Sequence, residues 1–339
     1  MRVAILGAGM RLHSEDSVHP VHHRFIDSNG IRMHLAEQGE GPVVVLCHGW
    51  PESWYSWRHQ MAALADAGYR AVAPDQRGYG QTDAPEAIEA YHILHLTADI
   101  VGIVHALGQE QAVIAGHDWG SAVAWYCALL RPDIFRRLIL LSVPYLQRNW
   151  NDPRPTAAMR LLEDGEHEFY QSYFQQPGRA EAELEADVRA SIIGLFNGGF
   201  GNPRPGPPLV RKGGGLVADV GGRQTPPDWL TQADIDFYVE EYSRTGFRGG
   251  LNWYRNIDRL WEVNAVLSGA KINQPSLFVA GEHDTVVRDM YTNAFDALEK
   301  TMPGLTKKML LPSTGHWVQQ ERPTEVTGLM LDFLRQTSG

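Results

Sequence analysis

The stretch from Ala112 to Leu130 constrains the fold more than any other part of this chain. An uninterrupted apolar run, Ala112-Val113-Ile114-Ala115, meets Gly116-His117-Asp118-Trp119-Gly120, and Ser121 to Leu130 then follow, rich in Ala, Val, Trp and Leu. The run suits a strand buried on both faces and the following segment a buried helix, so the pattern predicts strand, sharp turn, helix. The glycines are expected to carry the turn through a cramped, positive-φ conformation, which projects Asp118 into a cleft beside the helix N-terminal amides. Unbroken apolar runs recur at Val43 to Cys47, Ala71 to Ala73, Leu138 to Leu141, Leu277 to Ala280 and Met309 to Leu311, interleaved with helical stretches. Runs without period-2 alternation predict a mostly parallel sheet flanked by helices, an α/β architecture.

The rest of the chain adds detail to that plan. His22 to Asp27 and Ile31 to Glu37 can pair as a hairpin across Ser28-Asn29-Gly30, giving an antiparallel edge. Near the end, Pro323 precedes a helical face of Val326, Leu329, Met330, Phe333 and Leu334. Between Pro144 and Trp261 the strand–helix alternation stops, which predicts an inserted helical cap over 146–261. Within it, Ala180 to Arg189 should be helical, as should Asp228 to Thr245, while Gly198 to Pro227 is dense in Gly and Pro and reads as a mobile loop. The organisation expected is an N-terminal extension over 1–20, core segments over 21–145 and 262–339, and the cap between them. Gly7-Ala8-Gly9 does not make a dinucleotide fingerprint, because Leu12 stands where the third glycine belongs and no helix pattern follows.

Composition removes several partner classes. A formal net charge of −10 disfavours nucleic acid and anionic membrane, whose binding is driven by clustered Lys and Arg. The N-terminal apolar segment Val3 to Leu6 is too short to span a membrane and lacks a clear cleavage site, so no export signal is read. Two cysteines, Cys47 and Cys127, sit in apolar runs and are expected to be buried free thiols, which fits a reducing cytoplasm. The reading leaves room for a homodimer.

Asp118 at the turn selects the chemistry. A serine there would attack acyl carbon, whereas a carboxylate displaces a leaving group from saturated carbon and forms an alkyl ester hydrolysed at its own carbonyl. Substrates should therefore carry an epoxide oxygen or a halide. His48-Gly49-Trp50-Pro51 follows the Val43 to Cys47 run and can present the Trp50 amide opposite the Trp119 amide, a two-amide oxyanion hole. Asp284 in Gly281-Glu282-His283-Asp284 and His316 in Ser313-Thr314-Gly315-His316-Trp317 each follow a predicted strand. That order is nucleophile, acid, base, each past a strand's C-terminal end, with Glu282 as an alternative acid.

Taken together, these motifs resemble those of the soluble-type epoxide hydrolases of the α/β-hydrolase superfamily, from about Val21 to Leu334. The likeness rests on His48 to Arg58, Asp75-Gln76-Arg77-Gly78-Tyr79-Gly80, Gly116 to Gly120 and Gly315-His316-Trp317, with cap segments Tyr173 to Gly178 and Gly246 to Asn256. The resemblance implies an α/β-hydrolase fold with a helical cap, a small-molecule epoxide as substrate, and no metal or organic cofactor. It also implies that Tyr173 and Tyr254 reach the epoxide oxygen from the cap and that one of them protonates the departing alkoxide. A haloalkane dehalogenase is the alternative enzyme, since His117 to Ser121 also resembles its turn, although Trp50 stands where that family usually has Asn. A hydrolase-fold receptor that binds without turnover is the alternative from another class.

Overall fold

The computed structural model describes residues 19–198, 206–221 and 225–337. The predicted extension over 1–20 therefore falls almost wholly outside the described residues, as does Gly7-Ala8-Gly9. Strands β1 (His22–Ser28), β2 (Ile31–Gln38), β3 (Val43–Cys47), β4 (Arg70–Pro74), β5 (Ala112–His117) and β6 (Phe135–Leu141) form a sheet. Strands β7 (His167–Phe169) and β8 (Leu209–Arg211) pair with each other, and β9 (Ser276–Gly281) and β10 (Leu305–Leu311) return to the main sheet. Its eight strands run in the order β1-β2-β4-β3-β5-β6-β9-β10.

Only β1/β2 and β2/β4 pair antiparallel; β4, β3, β5, β6, β9 and β10 are mutually parallel. Ser28 opposes Ile31, so Asn29 and Gly30 alone make the first turn, with φ of 49° and 78°. Two successive left-handed residues are what a tight hairpin of right-twisted strands needs, and Asn-Gly supplies them cheaply. The chain leaves β3 for β4 on one side and later returns to β5 on the other. A crevice opens at that switch of direction, just beyond the strand ends.

Both faces of the sheet are covered. Val45, Ile114, Leu140 and Phe278 point to one side, against Ile100, Ile103, Val123 and Cys127 of helices Ile93–Ala106 and Trp119–Leu130. Val44, Leu46, Ile139 and Val279 point to the other, against Trp57, Met61 and Leu64 and against Val326, Met330 and Phe333 of helix Pro323–Gln336. This two-sided burial is why β3, β5 and β9 carry no polar alternation. The exception is β10, an edge strand paired only with β9, where Leu310 is 38% exposed. Both cysteines are free and buried.

Between β6 and β9 the chain is mainly helical, with three departures from the sequence expectation. Ala180 to Arg189 is not one helix. It breaks at Glu185–Asp187, where Asp187 caps the next helix by accepting the Ala190 amide at 2.9 Å. The segment expected to start at Asp228 begins at Gln232, because Thr231 and Asp234 form a reciprocal capping box. Finally, Gly198 to Pro227 is not wholly loop. Its described part holds β8 and a turn of helix, Leu216–Asp219, whose Leu216 and Val217 amides both donate to Glu183.

Candidate active site

Asp118 stands between β5 and helix Trp119–Leu130, at φ 51° and ψ −120°. The left-handed strain is thus carried by the aspartate itself and not by the glycines beside it, as the sequence reading had it. Gly116 and Gly120 are needed for a different reason. A Cβ on Gly116 would lie 2.0 Å from the Gly120 carbonyl oxygen, and one on Gly120 would lie 2.0 Å from that of Cys47. The turn can close only with hydrogen at both places. Ser121 Oγ then ties it to the sheet, bonding the carbonyls of Gly116 at 2.8 Å and Leu141 at 2.9 Å. A non-glycine residue held at positive φ by such surroundings points to function.

The turn after β3 meets it from the side. The Trp50 amide donates to Asp118 Oδ1 at 3.0 Å. The Asp75-Gln76-Arg77 segment braces that turn: Gln76 donates through its amide to His48 Nε2 at 3.1 Å and through its side chain to the His48 carbonyl at 2.5 Å. Arg77 is anchored in turn by Asp99, with bonds of 2.8 and 2.6 Å. The Trp119 amide is the first of the helix that follows Asp118.

His316 comes from the loop after β10, and its Nε2 lies 3.6 Å from Asp118 Oδ2. Its Nδ1 faces Asp284 at 3.1 and 3.2 Å. Asp284 is fully buried just past β9 and accepts the Val286 amide at 2.9 Å, which fixes the carboxylate. Glu282 is turned away, accepting the Ser313 amide at 3.2 Å, so the structure brings Asp284 and not the alternative to the imidazole. Burial of His316 favours the neutral ring, but the charges of Asp284 and Asp118 outweigh it and push the pKa up to about 10.

Beneath these groups lies a pair the sequence reading quoted but gave no role. Glu52 and His117 are both fully buried, with Glu52 Oε2 2.7 Å from His117 Nδ1. His117 Nε2 lies 2.8 Å from the main-chain oxygen of His316. Both ring nitrogens therefore face oxygen acceptors, and satisfying both requires a hydrogen on each. Glu52 also accepts the Gly49 amide at 2.7 Å, so one ion pair links the β3 turn, the β5 turn and the base-bearing loop. Burial opposes ionisation of Glu52, yet the His117 charge and hydrogen bonds win and bring its pKa down to about 2.

A cavity of about 180 Å³ opens over Asp118. Trp119, Trp125, Leu146, Met159, Leu260 and Met290 give it apolar walls, and Tyr170, Tyr254 and Gln171 bring polar atoms to it. Tyr254 is buried, with its ring 5.1 Å from that of Trp119 and 5.7 Å from that of Trp50. Burial and the nearby Asp118 charge raise the pKa of its phenol well above the ordinary value. A larger surface cleft of about 850 Å³ lies between Glu86, Gly178, Arg244 and Arg255, but it contains no member of the Asp118–His316–Asp284 set.

Tyr173 requires correction. Its hydroxyl donates to Glu183 at 2.5 Å, its ring lies under the Arg179 guanidinium at 4.1 Å, and it does not line the cavity. Tyr170 lines it instead, opposite Tyr254 at 6.1 Å between ring centroids. Burial raises the Tyr170 phenol well above its ordinary pKa. Tyr170 and Tyr173 are three residues apart in one helical turn, Tyr170–Tyr173, so they project from neighbouring faces. Both are buried, only the acidic partner at Glu183 tells them apart, and no local sequence spacing reveals which of the two turns toward the cavity.

Comparison with known proteins agrees with this geometry. A profile of the alpha/beta hydrolase fold matches residues 42–185. Epoxide hydrolase A of Mycobacterium tuberculosis is 46% identical over 92% of this chain and 96% of its own length. The chain belongs to the epoxide hydrolases. Epoxide hydrolase 3 of Siraitia grosvenorii is 38% identical, over 93% of this chain and 99% of its own. Among solved structures, an epoxide hydrolase from an endophytic Streptomyces superimposes with a TM-score of 0.87 at 48% identity, covering 93% of this chain and 95% of that one. Epoxide hydrolase A from Mycobacterium thermoresistibile gives 0.85 at 45% identity, covering 93% and 98%. Among the described residues no helix is long and apolar enough to cross a membrane, and no group of three or more His, Cys, Asp or Glu side chains could hold a metal ion.

Proposed function

We propose that this epoxide hydrolase opens its substrate by covalent catalysis at Asp118, in a cavity built for small epoxides with neutral, apolar substituents. The observation that carries the reading is the arrangement around the carboxylate. Oδ1 is held by the Trp50 amide, Oδ2 is 3.6 Å from His316, and Tyr170 and Tyr254 are two of the three tyrosines, with Tyr291, that line the cavity. Oδ2 is the attacking oxygen. Oδ1 stays with the Trp50 and Trp119 amides and becomes the oxyanion when water later adds to the ester. Among the described residues Asp118 is the only charged side chain lining the cavity, so a substrate carboxylate would meet no cation in the lining and would face the Asp118 charge.

As Oδ2 bonds to one epoxide carbon, the C–O bond on that carbon breaks and the ring oxygen takes a proton from Tyr170 or Tyr254. Such general-acid assistance is worth about 10² to 10⁴ in rate. Alkylation also neutralises Asp118, which removes one of the two charges that hold the His316 pKa up. The imidazolium then becomes acidic enough to return a proton to the tyrosinate, and the neutral ring takes the next from water. Hydroxide adds to the Asp118 carbonyl carbon; as the intermediate collapses the acyl C–O bond breaks, the proton of the added hydroxyl passes to the departing alkoxide, and the diol leaves with Asp118 restored as carboxylate. Asp284 keeps the imidazole oriented through both steps. In this reading segments 21–145 and 262–339 form the catalytic core and 146–261 is a cap that delivers the acids.

Single turnover in ¹⁸O-water with enzyme in excess tests the scheme. The diol should contain no solvent oxygen, and the label should appear in the peptide holding Asp118. Solvent label in the first diol would mean direct hydration and would remove Asp118 as the nucleophile.

A further inference from the structure

Gln171 lines the cavity beside Tyr170 and is itself buried, 8% exposed. Its side-chain amide nitrogen lies 2.8 Å from the Tyr170 hydroxyl oxygen and donates to it. A phenol has one hydrogen to give and two lone pairs with which to accept. The Gln171 N–H takes one lone pair and the Tyr254 hydroxyl also hydrogen-bonds the oxygen, so the phenolic hydrogen is directed away from Gln171, on the side of the cavity that Tyr170 lines. We propose that Gln171 is a positioning residue for ring opening: it accepts no proton, but it turns the Tyr170 hydroxyl hydrogen toward the epoxide oxygen and stabilises the tyrosinate left behind. The inference rests on the reading of Tyr170 as an acid of the reaction.

Two further contacts fit this role. Gln175 Nε2 donates to the Gln171 main-chain oxygen at 2.9 Å and to that of Tyr254 at 3.0 Å. One amide thus ties the two tyrosine-bearing segments together and fixes the Gln171 backbone between them. The Gln171 bond also acts against the burial that makes Tyr170 a weaker acid. It strengthens as the reaction proceeds: when the Tyr170 proton passes to the alkoxide, the neutral hydrogen bond becomes one to an anion, which is roughly twice as strong. An interaction that grows in this way lowers the barrier and leaves ground-state binding almost unchanged. The amide is specific for the purpose, because a carboxylate at the same place has no hydrogen to give and would itself capture the phenolic proton.

The test is single-turnover alkylation of Gln171→Met and Gln171→Glu across roughly pH 4 to 8, each as a ratio to the native enzyme, with styrene oxide as probe. Gln171→Met should slow alkylation about fivefold to tenfold, the loss expected for one neutral hydrogen bond, with substrate binding changed much less. Gln171→Glu should approach the native rate at the acid end, where its carboxylic acid can donate. It should fall progressively below native as the carboxylate forms. In a Tyr170→Phe background neither substitution should change the rate by more than about twofold. A flat Gln171→Glu ratio near unity would show that Gln171 accepts from Tyr170, and overturn the proposal. Equal losses with and without the Tyr170 hydroxyl would reduce Gln171 to packing and overturn it too. If Tyr170→Phe alone leaves alkylation intact, it is the assignment of Tyr170 that fails, a separate outcome.

Discussion

Gly49→Ala isolates the approach of the β3 turn to the nucleophile. Gly49 is not at positive φ, so alanine is allowed by the backbone, but its Cβ would lie 2.4 Å from Asp118 Cβ and 2.6 Å from Oδ1. Ordinary contact begins at 3.4 Å, so one of the two must retreat by about 1 Å. Rotating the Asp118 side chain leaves its Cβ in place, so relief requires the elbow to shift away from the β3 turn, which the Gly49 amide ties to Glu52 at 2.7 Å. That motion takes Oδ1 off the Trp50 amide and misaligns Oδ2. A displacement of this size costs on the order of 10²-fold in rate, while overpacking of this kind destabilises a core by about 1–3 kcal/mol. Rapid-quench single turnovers should therefore show alkylation slowed roughly a hundredfold, with a folded protein by circular dichroism and a modest fall in urea midpoint. An alkylation rate within about threefold of native would refute the claim that this contact sets the nucleophile's position.

Tyr170→Phe should lower the alkylation rate at least tenfold, a fraction of the full general-acid effect because Tyr254 remains, whereas Tyr173→Phe should leave it near native and lower only stability; stopped-flow alkylation of both separates the two tyrosines. His316→Gln should still be alkylated but not cleared, so intact-protein mass spectrometry should find an adduct of substrate mass on Asp118; normal turnover would exclude His316 as the base. Glu52→Gln leaves the His117 ring without its counter-charge in a fully buried site, and denaturant melts should show a loss of about 3–5 kcal/mol. The Glu52 pKa, lowered to about 2 from an ordinary 4.5, stabilises the fold above pH 4.5 and loses that contribution as pH falls toward 2. Acid-unfolding curves should show the native midpoint shifted upward in Glu52→Gln, and unchanged curves would refute the linkage.

What could be read from the sequence and what could not divides along physical lines. β3, β5 and β9 are buried on both faces, so their apolar runs are unbroken and their ends are sharp. Residues placed just past such an end are legible, which is why Asp118, Trp50 and Asp284 were locatable by position, whereas His316 follows the partly exposed edge strand β10. The glycine rationale was not, because whether Gly116 serves a dihedral angle or a 2.0 Å approach depends on what lies across the turn. Over the cap the signal is weaker still. Tyr170 and Tyr173 share a four-residue helix, and a long-range partner, Glu183, decides which one is withdrawn from the cavity. Breaks at Asp187 and Thr231 turn on local capping bonds that periodicity does not register. The Glu52–His117 pair joins residues 65 apart in sequence, and nothing local to either announces the other.

On the proposed two-step scheme, the same geometry lets one imidazole be silent in the first step and a base in the second. In the resting site His316 sits between two carboxylates, and the pair holds its pKa near 10, so at neutral pH it carries a proton and cannot compete with Asp118 for the substrate. Its Nε2 faces Asp118 Oδ2 from 3.6 Å. Esterification removes the Asp118 charge, while burial, the largest effect acting to neutralise the ring, stays as it was. The balance moves toward the neutral base at the moment an ester exists to be cleared. Because the raised pKa is a property of the folded, unalkylated enzyme, it also adds stability that is fully present below pH 6.5 and is lost as pH rises toward 10. Replacing Asp118 by Asn imitates the neutral ester, so His316 in Asp118→Asn should titrate well below its native value when followed by the ring proton resonances. An unchanged high value in that variant would mean that Asp284 alone sets it, and the switch would have to be sought elsewhere.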